Sequence, residues 1–128
     1  MRLLLDTHAL LWWLTDDQKL PGDPRDAIAD PENDIFVSSA SAWEISTKFR
    51  LGKLPEIGDI SSRLAYYVRK SGFQSLSISL EHAAEAGQLP GPHRDPFDRM
   101  LIAQANIEKL RVVTVDPVFH DYGIQILW

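Results

Sequence analysis

Short apolar runs recur along the chain, each closed by a polar or acidic residue and followed by a longer amphipathic stretch. The first, Leu3-Leu4-Leu5, has no alternation and stops at Asp6, which predicts a strand buried on both faces of a parallel sheet. A helix over 7–15 follows, with Asp6 or Thr7 as N-cap and Leu10, Leu11, Trp12, Trp13 and Leu14 apolar nearly all round. Residues 16–24 carry two prolines and a glycine and read as loop, and 25–30 as a short helix stopped by Pro31. Ile35-Phe36-Val37 is a second buried strand. Ser41 and Glu44 have the spacing of a capping box at the start of the next helix, which Gly52 ends.

The second half repeats the alternation. Residues 60–71 form an amphipathic helix ending at Gly72, 73–78 an edge strand of alternating character, and 80–89 a helix. Leu89-Pro90-Gly91-Pro92-His93 is the strongest break and reads as a loop within the domain. The clearest helix spans 96–109, followed by a strand over 110–115, a short helix over 117–122 and a last strand over 124–128. Strands alternating with helices across short turns predict one domain over residues 1–128, an α/β/α three-layer sandwich with a central, mostly parallel sheet.

Composition narrows the chemistry. A chain of 128 residues, 45% hydrophobic and 24% charged, can bury one sizeable core and is not disordered. It has no cysteine, so disulfides, thiolate zinc sites and cysteine nucleophiles are excluded and any metal must be held by oxygen or imidazole. Thirteen Lys and Arg against eighteen Asp and Glu leave a net charge of −5, the wrong sign for gripping nucleic acid through bulk charge. The apolar stretch from Ala9 to Leu14 is too short for a signal peptide or a membrane span, so a cytoplasmic protein with no membrane partner is expected.

Four carboxylates stand at comparable places. Asp6 follows the first strand, Glu44 lies early in the helix after the second, Asp98 opens the clearest helix, and Asp116 follows Thr114-Val115. Each has a structural explanation: Asp6 and Asp116 as N-caps, Glu44 as the capping-box partner of Ser41, and Asp98 in the same part behind an Asp95 cap and Pro96. Caps, however, need no common location, whereas these four are expected beside one edge of the sheet. Clustered acids repel one another unless they share protons or bind a cation. Hard oxygen ligands favour Mg²⁺, with Mn²⁺ as the alternative, and such ions suit phosphoryl-ester hydrolysis by metal-activated water.

The blocks carrying these acids resemble the PIN-domain ribonucleases, and most closely the VapC-type toxins of bacterial toxin–antitoxin pairs. They are Leu3-Leu4-Leu5-Asp6-Thr7, the segment from Ser38 to Glu44, the segment from His93 to Ala105, and Val113-Thr114-Val115-Asp116, in order over almost the whole chain. The resemblance implies a Mg²⁺-dependent endoribonuclease that arrests growth until a cognate antitoxin binds it, and it implies a homodimer. Asp6 and Asp98 become the principal metal ligands, Glu44 and Asp116 complete the acidic pocket, and Glu44 handles the attacking water. Thr7, Ser39 and Thr114 are supporting hydroxyls and Asp95 an extra acid, each with a capping or strand-end role beside the functional one. His93, Arg94 and Arg99 are candidate RNA phosphate contacts, as are Lys48, Arg50 and Lys53, for most of which a solvated surface is the plainer reading. Trp12 and Trp13 are candidates for an antitoxin groove or a dimer face, with core packing as the other reading for both. Trp43 and Trp128 are expected in the core.

Three other readings remain. A phosphorelay receiver needs paired acids after the first strand and a lysine after the last, and neither is present. A metal-free ribonuclease with paired imidazoles would draw on His8, His82, His93 and His120, which have no pairing spacing. A non-catalytic PIN-like binding module, with the acids serving only as caps, is the non-enzymatic alternative.

Overall fold

Leu3, Leu4 and Leu5 are wholly buried, as the unalternating run requires. In the computed structural model, which describes residues 1–128, they form β1 (Arg2–Leu5) at the centre of a five-stranded sheet. β1 pairs in parallel with β2 (Asp34–Ser38) on one side and β4 (Arg111–Val113) on the other. β3 (Gln74–Leu76) and β5 (Ile126–Leu127) are the edges, so the order is β3-β2-β1-β4-β5 and every pairing is parallel.

Successive side chains of β1 point to opposite faces, and that alternation divides the core in two. Leu3 and Leu5 pack under α1 (Thr7–Leu14), α2 (Gly22–Ala29), α3 (Ser39–Arg50) and α5 (Leu64–Lys70), through Leu10, Ile28, Ile45 and Val68. Leu4 packs with Leu101, Ile102 and Phe119, which belong to α7 (Pro96–Glu108) and α8 (Val118–Asp121). Between them in the chain lie α4 (Asp59–Ser62) and α6 (Leu80–Gln88), the latter docked on α7. The layers are helix, sheet, helix, as the alternation of elements predicts.

Several boundaries move, each for a local reason. α2 starts at Gly22 and takes Pro24 into its first turn, where a missing N–H costs no helical bond. The expected helix over 60–71 is interrupted at Arg63, with a 3₁₀ turn at Pro55–Ile57 before it. α3 begins two residues ahead of the expected capping box. Ser38 is its N-cap, the hydroxyl accepting from the Ala40 N–H at 3.0 Å, a contact worth about 1 kcal/mol. Ser41 therefore sits inside the first turn and Glu44 in the second, both buried. Helix α6 has the capping box instead, with Ser79 as cap and the His82 ring closing it.

The aromatic residues also redistribute. Trp12 packs against Trp128 with centroids 5.8 Å apart, and Trp13 against Phe73 at 5.9 Å, so both are half-buried. Trp43, expected in the core, is 62% exposed and meets Phe97 edge-on at 5.0 Å. No helix is long and apolar enough to cross a membrane.

Candidate functional site

The strand order turns at β1: β2 and β3 extend to one side of it, β4 and β5 to the other. At such a switch point the loops leaving the carboxyl ends of neighbouring strands diverge and open a crevice. Asp6 leaves β1 there, and Thr114 to Asp116 leave β4. The Asp6 N–H still donates to the Val113 carbonyl at 3.1 Å, so the two segments start from a shared rung of the sheet.

Asp6 caps α1 and belongs to the acidic edge at once. Its Oδ1 accepts from the Ala9 N–H at 2.7 Å, and its Oδ2 accepts from the Thr114 hydroxyl at 2.5 Å. Thr114 in turn accepts from the Asp116 N–H at 3.0 Å, while Asp116 Oδ1 accepts from the Val118 N–H at 3.0 Å just ahead of α8, whose N-cap position is Pro117. Burial pushes the Asp6 carboxyl above its ordinary value and the Asp116 charge adds to that; Thr114, Ala9 and His8 oppose it.

A second pair of acids is contributed by α3 and α7. Glu44 is 4% exposed. Its Oε1 accepts from the Thr7 hydroxyl at 2.7 Å, and Thr7 also lies 3.0 Å from the Ser41 hydroxyl, which can donate to it. Its Oε2 is paired with Lys48 Nζ at 2.5 Å, one turn along the helix. Asp95 caps α7, accepting from the Phe97 and Asp98 N–H groups, and Pro96 takes the first helical position. Asp98 makes no capping bond of its own. Its Oδ2 lies 3.1 Å from His93 Nε2, and its carboxyl is pushed up to about 6, first by burial and then by the charge on Asp95. His93 opposes that shift and Glu44 adds to it, so the carboxylates of α3 and α7 lie within each other's field.

The acids therefore form two coupled pairs, Asp6 with Asp116 and Glu44 with Asp98, joined through Thr7, which follows Asp6 and donates to Glu44, and each carboxylate is already bonded to a partner from the chain. No three Asp, Glu or His side chains converge closely enough to ligate a common ion. The donor chemistry nonetheless fits a hard divalent cation: the acids are oxygen donors, and burial holds the Asp6 and Asp98 carboxyls above their ordinary value, a cost that a bound cation would offset.

Other candidates fall elsewhere. Ser39 is exposed and makes no side-chain hydrogen bond, so the hydroxyl beside Thr7 and Glu44 is that of Ser41. Arg99 is not free for phosphate. It donates to the carbonyls of Ala86, His93 and Leu89 at 3.0, 3.0 and 2.7 Å, strapping the end of α6 and the following loop to α7. Lys48 is taken up by Glu44. Arg94 is exposed and unpaired, as are Arg50 and Lys53. One contributor has no signal in local spacing. Gln104 is wholly buried and accepts from the Ser38 hydroxyl at 2.5 Å, joining α7 to the end of β2. Lys48 carries only a helical i,i+4 relation to Glu44, which is the one clue the sequence offers.

Comparison with known proteins places this arrangement. The family model of the PIN domain matches residues 3–125. Ribonuclease VapC16 of Mycobacterium tuberculosis is 39% identical over 62 residues, a match covering 48% of this chain and 44% of that protein. Among solved structures, VapBC2 of Rickettsia felis bound to a promoter DNA fragment superposes with a TM-score of 0.72 at 18% identity, over 99% of this chain and 98% of that one. FitAcB of Neisseria gonorrhoeae gives 0.69 at 21%, over 98% and 96%. The structural matches, at such low identity, establish a shared fold, while the family model spans nearly all of the sequence; the chain belongs to the PIN-domain family.

Proposed function

We propose that this chain is a Mg²⁺-dependent endoribonuclease and the toxin of a toxin–antitoxin pair, with Mn²⁺ as an alternative ion. The observation that carries the reading is that Asp6 with Asp116, and Glu44 with Asp98, form two coupled pairs of acids, with the Asp6 and Asp98 carboxyls raised chiefly by burial. A cluster arranged in this way costs stability and is expected where function demands it. The partial match to a ribonuclease supports the activity.

Asp6 and Asp98 would be the principal ligands of the ion, with Glu44 and Asp116 completing the set. When bound, the ion supplies charge for the scissile phosphate and acidifies a water molecule. The chain's own residues do the rest. Glu44 orients that water and receives its proton, and Thr7, Ser41 and Lys48 hold the Glu44 carboxylate for the task. Thr114 fixes the Asp6 carboxylate, and Asp95 holds the first turn of α7 that presents Asp98. Arg94 meets the RNA phosphates, with His93 beside the site on Asp98. In-line attack by water breaks the bond to the ribose O3′, leaving a 5′-phosphate and a 3′-hydroxyl.

An antitoxin partner is supported by structural neighbours that are themselves toxin–antitoxin complexes. For the homodimer, the face around Trp43, Phe97 and Ile78 is better suited than Trp12 and Trp13, which are already engaged within the chain. A non-catalytic binding module has one observation in its favour, that every one of the four acids has a partner within the chain. Expression of wild type beside Asp98→Asn, scoring growth arrest and mapping RNA ends, separates the two. The nuclease reading expects arrest and 5′-phosphate ends in the wild type alone; equal toxicity of both would sink it.

A further inference from the structure

Glu44 and Asp98 are carried by helices from opposite layers of the sandwich. α3 packs mainly over Leu3 and Leu5 through Ile45, and α7 over Leu4 through Leu101 and Ile102, so the sheet itself does not fix one helix against the other. The two touch beside the end of β2. Part of that contact is apolar, Trp43 of α3 meeting Phe97 of α7 edge-on at 5.0 Å, and apolar contact is not directional.

The directional part is Gln104. It is wholly buried, on the stretch of α7 that carries Leu101, Ile102 and Ala105, where an apolar side chain would avoid the cost of desolvating an amide. Its Nε2 lies 3.3 Å from the Ser77 carbonyl, which can only accept, so the amide N–H donates there and Oε1 faces the Ser38 hydroxyl at 2.5 Å. A carboxamide oxygen can only accept as well, so Ser38 gives its single proton to Gln104. The lone pairs of Ser38 are left for the Ala40 N–H at 3.0 Å, the bond that caps α3. Every group in this chain of contacts has one role open to it, and a satisfied buried network of this kind is rigid.

We propose that Gln104 is a positioning residue of the acidic site: by fixing the first turn of α3 against α7, its amide sets where Glu44 stands relative to Asp98. The two acids are close enough that the Glu44 charge is felt at Asp98. Ligands of an ion need placement within about 0.5 Å, which directional hydrogen bonds supply and sliding apolar faces do not. The consequence for an ion rests on the metal-dependent reading; the placement of α3 does not.

Gln104→Met keeps the size of the side chain, leaves the Ser38 cap in place and removes the amide. The metal-free chain is titrated with Mn²⁺, read by the fall in the electron paramagnetic resonance signal of the free ion, and Asp98→Asn marks the binding that belongs to the acids. Gln104→Met is expected to weaken that binding at least about tenfold, the lower end for partners that orient metal ligands. Its urea midpoint should stay at that of the wild type, because apolar burial offsets the lost hydrogen bond. Ser38→Gly breaks the same contact from the other side with a residue tolerated at N-caps, which keeps the test open should Gln104→Met not fold. Combined, the two should weaken binding no more than either alone. Crystal structures of metal-free wild type and Gln104→Met are expected to differ by more than about 0.5 Å in the placement of α3 against α7. Wild-type affinity in both variants, losses that multiply in the double variant, a urea midpoint that falls in step with affinity, or an unmoved α3 overturns the proposal. A displaced α3 in a chain whose wild type binds no Mn²⁺ leaves Gln104 as the positioning residue and sinks the metal-dependent reading alone.

Discussion

The two halves of the acidic edge are held by different means. Asp6 and Asp116 are secured by neutral donors on rigid elements: two backbone N–H groups, and the Thr114 hydroxyl that links the pair. Glu44 takes the neutral Thr7 hydroxyl on one oxygen, but its other oxygen and the Asp98 carboxylate are held by side chains able to carry positive charge, Lys48 and His93, on a flexible stem and a loop. The difference teaches which half is preorganised and which is exchangeable. A neutral hydrogen bond positions a carboxylate without cancelling its charge, so it can persist when an ion arrives. A cation cancels the charge and competes with the ion, so it must let go or be shared.

Removing Lys48 tests the exchangeable half and should have the largest effect. Glu44 is nearly inaccessible, and stripping its counter-ion leaves a buried charge. Because Lys48 itself is partly exposed and screened, Lys48→Met is expected to cost about 2 kcal/mol, below the usual range for a fully buried pair. Urea unfolding with and without Mg²⁺ checks this: the ion should restore part of the loss, and a loss indifferent to Mg²⁺ would break the distinction between the halves.

Thr114→Val tests the other half. The swap keeps the shape and deletes the donor to Asp6 and the acceptor for the Asp116 N–H, at an expected cost of about 1–2 kcal/mol. Here Mg²⁺ should not repair the defect selectively. Recovery as complete as that of Lys48→Met would mean that the Asp6 side is no more preorganised than the Glu44 side.

The smallest effect is a pH dependence from Asp98. Its carboxyl titrates near 6 in the fold against an ordinary 3.8, so the native state favours the protonated form. The stabilisation is fully present below the unfolded value and is lost as pH rises through about 6, amounting to about 1 kcal/mol after solvent screening. Metal-free wild type should therefore lose urea resistance relative to Asp98→Asn between those values. A constant difference between the two across that window would show that Asp98 is not raised.

Much of the site is legible without a structure because the residues involved act through neighbours in sequence. The buried run Leu3-Leu4-Leu5 requires a central strand, which puts Asp6 at its carboxyl end. Asp95-Pro96 marks the start of α7, and Asp95 caps it as its spacing predicts; Asp116 marks the start of α8 one residue early, since Pro117 takes the N-cap position and Asp116 accepts from the Val118 N–H from just before it. The capping-box reading of Ser41 and Glu44 fails because Ser38, three residues before Ser41, caps α3 equally well by local rules, and local rules cannot rank the two.

What sequence alone determined is the order of elements, the parallel α/β class and the positions of the acids along the chain, since periodicity and caps depend on residues a few positions apart. Tertiary structure decided the partners. Arg99 spends its guanidinium on four backbone carbonyls because the end of α6 is brought against α7, and Trp43 faces outward because of the turn at which α3 begins. Thr7 reaches Glu44 across 37 positions, and Thr114 reaches Asp6 across 108. Such contacts follow from which faces the sheet presses together, a property of packing that no local pattern encodes.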